Sequence, residues 1–453
     1  MRLSSSCAHA SLACQVAPKS PQESPPRRVI QPWTGSRPAA VFAHSLNGYS
    51  QLCAVPLVGS SFHEVMARTK PRLEWMEVTP TEALPRLRVA FLNNYDMGLA
   101  LERWKTGDYP GQHLFGITHF SEHGLDVDII PFGRVGRTRA WTNHRIGDVV
   151  LQWRVLLRRP QYDVIYSASQ NDTVLLALLR RMRLLRTPIV ATMHHPAQGP
   201  LLRPWLFRLA YGGHDRLLCM DEDIYDETLR FGLPQSKVTL VGWCVDLAFY
   251  EPEPVPSGPD APLVLTAGKI KRDYGSLLRA IEGLGCRVEI YCSADSAPPA
   301  QSVPANAEVH FDPERPSTSN LLTMAQLLDR YKAATVVAIP LQASEVRRTT
   351  GLTALLEAMA MGRPVVMTEN SFMDIEKAGF GRRVAPGDVE GWRSALSELT
   401  TDQPLAEEMG KRGRELCVAE FSLPDYSARV AEEVRSVTTQ RLRRQRSGRR
   451  STH

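Results

Sequence analysis

The residues best suited to chemistry surround a predicted helix start in the C-terminal half of the chain. Thr349 and Thr350 are preferred N-cap residue types, and Gly351 lets a ligand approach the backbone. The free N–H groups and the positive dipole end of such a helix attract phosphate. Glu357 follows about two turns later, where its carboxylate could reach a sugar or ribose hydroxyl. The stretch predicts a phosphate-binding helix, with an ordinary helix and a solvated glutamate as the alternative.

Two cations precede this helix in the segment LVLTAGKIKRDYGSLLRA. Lys269 and Arg272 come directly after a predicted strand, on the loop at its carboxyl end. Lysine supplies a point charge and arginine a planar fork, so the pair suits a diphosphate group. Taken without the helix start, both side chains would more simply be solvated at the surface.

These residues are positioned by a repeated order of predicted strands and helices. The first half has buried-strand patterns at Leu87–Leu92, Val127–Pro131, Val164–Ser167, Ile189–Met193, Arg216–Met220 and Val238–Val241. The second half has them at Leu263–Ala267, Arg287–Cys292, Val309–Phe311, Thr335–Pro340 and Pro364–Thr368. Helices are predicted at Gly111–Gly124, Thr173–Leu185, Ser276–Leu284, Met324–Ala333, Leu352–Met361, Asp388–Leu399 and from about Pro424 to Leu442. This alternation predicts parallel sheets covered on both faces.

The composition along the chain predicts its domain organisation. We expect residues 1–84 to form an N-terminal extension, residues 85–250 a first domain and residues 251–262 a linker. Residues 263–424 should form a second domain, residues 425–442 a C-terminal helix and residues 443–453 a basic tail. The extension is rich in Pro, Ser and Arg without sustained periodicity, so we expect it to be poorly ordered. The linker carries five prolines, a composition typical of an interdomain connection. Ligands of such folds bind between the carboxyl ends of the two sheets.

The overall composition excludes several classes of protein. Of 453 residues, 43% are hydrophobic and 23% charged, as in soluble globular proteins. The net charge of +6 is mild and concentrated at the ends, so no nucleic-acid partner is expected. Eight cysteines without a CxxC pair favour reduced thiols in a cytoplasmic protein over a zinc or disulfide framework. No apolar run approaches the roughly 18 residues that span a bilayer, and no signal peptide is predicted.

Several motifs taken together resemble family 4 glycosyltransferases of the GT-B fold. AGKxxRDYxxLLxA followed by TGLTALLEAMAMGRPVV resembles the C-terminal half of that family. LRVAFL, EHGLDVDIIPF and PIVATMHHP resemble strands of its N-terminal half. Val245-Asp246 and Phe249, near the end of DRLLCMDEDIYDETLRFGLPQSKVTLVGWCVDLAFYEP, match a family signature. The resemblance covers about residues 86 to 440, and its specificity lies in the order and spacing of the motifs.

The resemblance implies an α/β fold with two Rossmann-like parallel-sheet domains that face a cleft. It also implies a retaining transfer of a sugar from a nucleotide-sugar donor, without an obligatory metal and without a bound cofactor. The donor would bind in the second domain and the acceptor in the first. The sugar, the base and the acceptor, which could be a glycan, a lipid-linked group or a small molecule, stay open.

Individual roles also follow from the resemblance. Lys269 and Arg272 would neutralise the leaving diphosphate, Glu357 would hold the donor ribose, and His194 would face the transferred sugar. His195 is a weaker substitute for His194, and Gly111 matches the N-terminal glycine loop. The implied donor-binding set is Thr349, Thr350, Gly351, Leu352, Thr353 and Glu357.

The chain departs from the family pattern at three places. The first glutamate of the family's pair is replaced by Thr349, and Glu345 lies nearby at a different spacing. Lys269 and Arg272 are closer together than the family's usual pair of cations. Cys292-Ser293-Ala294 stands where a glycine-rich turn is usual.

The missing glutamate leaves open a non-catalytic nucleotide-sugar-binding protein. The two-domain architecture leaves open a second enzyme function, a nucleotide-sugar epimerase or a phosphorylase. Two basic apolar segments, Trp153–Arg159 and Leu178–Arg186, raise a separate alternative. They are expected to form amphipathic helices that cover the sheet, with peripheral contact to an anionic inner membrane face as the alternative.

Overall fold

The computed structural model describes residues 85–131, 146–194, 197, 199–254, 261–269, 271–312, 322–345 and 350–450, with side chains through Thr439. The predicted N-terminal extension, half of the predicted linker, Thr349 and His195 lie outside these residues. The expectation of a poorly ordered extension therefore stays a prediction.

Twelve strands form two six-stranded parallel sheets in the described part of the chain. The first sheet has the order β2-β1-β3-β4-β5-β6 and the second the order β12-β11-β10-β7-β8-β9. Strands β1 to β6 are Leu87–Leu92, Leu125–Ile129, Val164–Ser167, Ile189–Met193, Arg216–Cys219 and Val238–Leu240. Strands β7 to β12 are Leu263–Ala267, Arg287–Tyr291, Ala307–His310, Val336–Ile339, Val365–Thr368 and Gly381–Val384. The predicted α/β fold with two Rossmann-like sheets is confirmed.

Eleven α-helices connect and cover the strands within the described residues. Helices α1 to α6 are Met97–Lys105, Val149–Arg158, Val174–Arg181, Pro204–Tyr211, Glu222–Arg230 and Tyr274–Ile281. Helices α7 to α11 are Met324–Ala333, Leu352–Ala360, Val389–Thr401, Gln403–Glu420 and Leu423–Arg450. The sequence analysis did not predict α1, α4, α5, α10 or strand β12.

The helix predicted at Gly111–Gly124 is wrong in type. The segment forms two short 3-10 helices, Gly111–Leu114 and Ile117–His123, separated by two residues in the left-handed region. Phe115 has φ 52° and Gly116 has φ 84°. Since a regular α-helix cannot contain left-handed residues, the segment becomes a compact loop.

The first sheet is covered on both faces, as alternate residues of β4 show. Ile189 packs with the inner residues of α2 and α3, while Ala191 and Met193 pack with α4 and α5. Val190 points to the opposite face and belongs to a core cluster that also contains α11. Helices α2 to α5 therefore form a layer on one face of this sheet.

The same core cluster continues into the second sheet. Leu265 of β7 and Ile339 of β10 belong to it, together with most of α8. The opposite face of the second sheet packs against α6 and α9, where Trp392 is fully buried. One hydrophobic core therefore connects the facing sides of the two sheets.

Helix α11 returns from the second sheet to the first. Ser427 Oγ donates to the carbonyl of Gly116 at 2.6 Å, and Arg435 Nη1 donates to the carbonyl of His123 at 2.9 Å. Helix α11 therefore stabilises the part of the segment between β1 and β2 that begins with Gly111, the residue matched to the glycine loop, and continues through the predicted helix.

Candidate active site

The start of α8 has the geometry of an anion-binding helix terminus. Its N-cap is Gly351, with φ 89°, and no side chain caps the helix. A Cβ at this position would lie 3.0 Å from Ile339 Cγ2, so the close packing and the positive φ both require glycine. The expectation that a threonine hydroxyl caps the helix is wrong for Thr350, and Thr349 lies outside the described residues.

Thr350 instead donates its hydroxyl to Glu345 Oε2 at 2.8 Å. The Nζ of Lys271 lies 3.9 Å from the other oxygen of this carboxylate. Burial lowers the pKa of Arg272, and the charge of Glu345 is among the smaller effects that oppose this shift. The structure therefore brings Glu345 to the start of α8, although the sequence analysis placed it out of register.

The loop after β7 carries the two predicted cations. The Arg272 guanidinium occupies the space that a Cβ on Gly268 would need, so only glycine allows this position. Burial lowers the pKa of Lys269 and of Arg272. Lys271 between them has φ 59°, an uncommon conformation for a residue with a side chain. Backbone strain of this kind concentrates at ligand sites.

The turn at Cys292-Ser293-Ala294 supports the same loop. The hydroxyls of Ser293 and Ser296 both donate to the carbonyl of Lys269, the second at 2.8 Å. The departure from the usual glycine-rich turn therefore supplies one donor, Ser293, and Ser296 just beyond it supplies a second, so that both fix the backbone of a predicted catalytic residue.

Glu357 lies in a buried cluster of hydroxyl groups. Tyr250 donates to its Oε1 at 2.7 Å and Tyr331 to its Oε2 at 3.0 Å, while Gln112 Nε2 approaches Oε1 at 3.4 Å. Burial raises the pKa of Glu357 to about 7, although these hydrogen bonds oppose the shift. The predicted role was a contact with the donor ribose, and in this structure tyrosine hydroxyls contact both carboxylate oxygens.

Gly111 is held by the segment that matched the family signature. Its N–H donates to Asp246 Oδ2 at 2.8 Å, and the backbone N–H of Asp246 donates to Gln112 Oε1 at 2.9 Å. A Cβ on Gly111 would lie 2.6 Å from Leu423 Cδ2 and 2.9 Å from Trp104 Nε1. The close approach of three segments therefore requires glycine at this position.

The residues after Gly111 connect the loop to the second domain. Burial lowers the pKa of His113 to about 4, and Lys269 contributes to the same shift. His113 is therefore neutral near pH 7 and lies within electrostatic reach of Lys269. Through Gln112 and His113, the glycine loop meets both Glu357 and the loop after β7.

His194 follows β4 and borders the glycine loop. Its ring packs edge-on against Phe115, with 5.1 Å between the ring centroids, and lies 6.5 Å from the ring of Trp243. Its Nε2 hydrogen-bonds the Ala168 carbonyl, which assigns the proton to that nitrogen. His195, the weaker candidate, lies outside the described residues.

The described residues of the predicted site thus lie at the carboxyl ends of β4 and β7, in the loop after β1 and at the start of α8. Sequence reasoning missed three contributors, Gln112, Tyr250 and Tyr331. Gln112 neighbours a predicted glycine and Tyr250 follows the signature residue Phe249, so proximity could have indicated both. Nothing in the sequence pattern distinguishes Tyr331.

Metal ligation has no candidate among these residues. Within the described ranges, no group of three or more His, Cys, Asp or Glu side chains could hold a metal ion. Nor does any helix in this part of the chain combine the length and apolar character needed to cross a membrane.

Two facing Rossmann-like sheets with such a site at their strand ends form the GT-B fold of glycosyltransferases. A family model described as Glycosyltransferase Family 4 matches residues 110–249, and one described as Glycosyl transferases group 1 matches residues 276–402. These two matches confirm the resemblance to family 4 glycosyltransferases that the motifs of the chain show.

Solved structures show the same fold at low sequence identity. Sucrose-phosphate synthase from Thermosynechococcus elongatus aligns with TM-score 0.58 and 15% identity, over 78% of this chain and 100% of that one. Anabaena HepE in complex with UDP-glucose aligns with TM-score 0.54 and 14% identity, over 78% and 100%. A glycosyltransferase from Rickettsia africae aligns with TM-score 0.54 and 10% identity, over 78% and 98%. No curated protein matches the sequence.

Proposed function

We propose that this glycosyltransferase moves a sugar from a nucleotide-diphosphate donor to an acceptor hydroxyl, with retention of the anomeric configuration. The observation that carries the proposal is the uncapped start of α8, which has Gly351 at its N-cap and shares a domain with Lys269 and Arg272. A helix N-terminus and two partly desolvated cations suit a diphosphate better than any neutral ligand.

The chemical role of these groups follows from the charge that develops in the reaction. The bond from the anomeric carbon to the diphosphate oxygen breaks, and the acceptor oxygen forms the new bond while its proton passes to the departing diphosphate. Lys269, Arg272 and the N–H groups from Leu352 onward would stabilise the negative charge on that leaving group. Fixed donors of this kind often provide the largest catalytic effect. In this proposal they supply the positive charge without a metal ion.

The acceptor side is proposed to lie in the first domain. His194 would face the transferred sugar beside Phe115, with Gly111 and its loop closing the donor site from the other domain. HepE was solved with UDP-glucose, and this supports a UDP-sugar as the first donor to test.

A second candidate function is a non-catalytic nucleotide-sugar-binding protein. Thr349 stands where the first glutamate of the family's pair is expected, so one acidic group of the family's donor site is replaced. The hydrogen bonds from Tyr250 and Tyr331 to Glu357 concern donor binding and do not distinguish the two functions. The epimerase and phosphorylase alternatives gain no support from the site.

A panel of UDP-, GDP- and dTDP-sugars tests the proposal. Each donor is first ranked by the thermal shift that it produces, because a bound ligand raises stability by mass action. Nucleotide release is then followed with and without candidate acceptors. We expect one nucleotide class to bind and to be released faster with an acceptor. Binding without release under any acceptor would contradict the proposal and favour the binding protein.

A further inference from the structure

Two helices in the layer that covers the first sheet, α2 and α4, carry large apolar side chains on their outward sides. On α2, Trp153 is 57% exposed and Leu157 is 67% exposed. On α4, Trp205 is 56% exposed and Leu209 is 42% exposed, at the same spacing of four residues. Residues four apart lie on one face of a helix, so each helix presents a tryptophan–leucine pair to solvent.

Helix α3 lies between these two helices and extends the surface. It contacts both α2 and α4, and Met182 and Leu184 just beyond its end are also exposed. We call the exposed set the tryptophan face: Val149, Val150, Trp153, Leu157, Met182, Leu184, Leu202, Trp205 and Leu209. It contains nine of the fourteen exposed large apolar side chains in the described part of the chain, so the exposure is clustered.

The same helices bury a separate apolar side against the sheet. Leu151 and Val155 of α2 and Phe207 of α4 are almost completely buried. Packing against the sheet therefore does not account for the tryptophan face, because other apolar residues of the same helices already form the contact with the sheet. Clusters of exposed apolar residues normally mark an interaction surface.

The charge on this surface has one sign. The helices and the residues at their ends, 149–159, 174–186 and 199–211, contain nine arginines and no aspartate or glutamate. Arg180 is paired with Asp215 from outside these segments. Arg159, Arg183, Arg203 and Arg208 are exposed beside the apolar residues. The occupant of the surface should therefore be apolar and negatively charged.

We propose that the tryptophan face docks this protein on the surface of an anionic phospholipid bilayer. Tryptophan and leucine enter the boundary between headgroups and acyl chains, and arginine pairs with the anionic headgroups. A second copy of the chain fits less well, because a two-fold contact would oppose arginine to arginine. A nucleic acid would leave Leu157, Met182 and Leu184 without an apolar partner.

This interaction is independent of the donor site. Its residues lie on the outer side of α2, α3 and α4, which cover the first sheet. Lys269 and the start of α8 belong to the second sheet and lie far from these helices in the sequence. Failure of membrane binding would therefore leave the proposed reaction untouched, and failure of the reaction would leave membrane binding untouched.

Vesicle co-sedimentation of the full chain tests the proposal. We expect the protein to pellet with vesicles of phosphatidylglycerol and phosphatidylcholine, to bind phosphatidylcholine alone roughly tenfold more weakly, and to be partly released by salt. The double variant Trp153→Ser/Trp205→Ser should bind roughly tenfold more weakly at the same salt, because the apolar anchor is lost. Arg159→Glu/Arg203→Glu should lose the preference for anionic vesicles.

Val418→Ser is the matched control, since Val418 is 49% exposed on α10 outside this surface. It should bind as the wild type does. Thermal unfolding confirms that each variant is folded, which is expected because the substituted residues are exposed. A wild-type protein that stays in the supernatant at low salt overturns the proposal. The proposal is also overturned if sedimentation velocity shows that the wild type is a dimer and the tryptophan variant a monomer, and if neither protein binds vesicles.

Discussion

The carboxyl group of Glu357 is buried between two tyrosine hydroxyls, and this environment sets its ionisation. Burial raises its pKa from 4.5 to about 7. Between these values the folded state retains a proton that the unfolded state releases. The contribution of this group to the free energy of unfolding therefore falls as pH rises from 4.5 to about 7 and is constant above.

Glu357→Gln removes this ionisation while keeping the shape of the side chain. We expect the variant to gain stability relative to the wild type by about 3 kcal/mol as pH rises through this window. Urea unfolding at several pH values measures the difference. Glu398→Gln is the control, because Arg382 lowers the pKa of Glu398, and its effect should not change in the same direction. A pH-independent difference for Glu357→Gln would contradict the assignment.

Gly111 provides a second prediction at the scale of a single residue. A Cβ there would meet Leu423, Asp246 and Trp104 within 2.9 Å. Gly111→Ala should therefore cost about 1–3 kcal/mol of stability through overpacking and slow turnover by displacing the loop. Gly285→Ala places its Cβ in open space and should be nearly neutral. Equal melting temperatures of the two variants would show that the loop can move aside.

At the scale of elements, helix α8 determines where a diphosphate can bind. Both of its ends have a glycine with positive φ, Gly351 at 89° before the helix and Gly362 at 64° after it. The two positions carry similar backbone demands, and only the first lies at the N-terminus that would hold the ligand. Substitutions at these two glycines therefore distinguish the effect of backbone strain from the effect of a displaced helix N-terminus.

Gly351→Ala and Gly362→Ala should each destabilise the protein by about 1–2 kcal/mol, because alanine is strained at positive φ. We expect only Gly351→Ala to weaken nucleotide binding, by roughly tenfold or more, since the helix start must shift. Isothermal titration with UDP measures the dissociation constants. Equal losses of affinity in both variants would mean that strain, rather than the helix start, controls binding.

The elements that the sequence predicted are those with a continuous apolar pattern. Strands such as β3 and β4 are buried throughout, so they appear as short apolar runs. Helix α10 was missed because Gly410 and Gly413 lower its helical propensity. In the structure these glycines allow close approach to Gly362 and Phe380. Helix α4 was missed because its outward side is as apolar as its inner side.

At the scale of the whole molecule, the candidate site depends on contacts between distant segments. Gln112 lies 245 residues from Glu357, and Gly111 lies 135 residues from Asp246. Motif spacing could predict the cations and the helix start, because each lies within one strand–loop–helix unit. It could not predict the tyrosine cluster around Glu357, because Tyr250 and Tyr331 come from different segments and meet only in the folded chain.

Lys269 lies within electrostatic reach of His113 in the first domain, and the proposed diphosphate site depends on the positive charge at this position. Lys269→Ala and Arg272→Ala should each raise the barrier to nucleotide release from the sugar donor by about 2–4 kcal/mol. Arg287→Ala removes an exposed cation from the start of β8, in the same domain, and serves as the control.

The decisive measurement is the rate of nucleotide release in these three purified variants, each with a melting temperature close to that of the wild type. We predict a loss of roughly 30- to 1000-fold in the Lys269 and Arg272 variants and an unchanged rate in the Arg287 variant. Wild-type rates in both the Lys269 and Arg272 variants would contradict the assignment of the diphosphate to the loop after β7 and the start of α8.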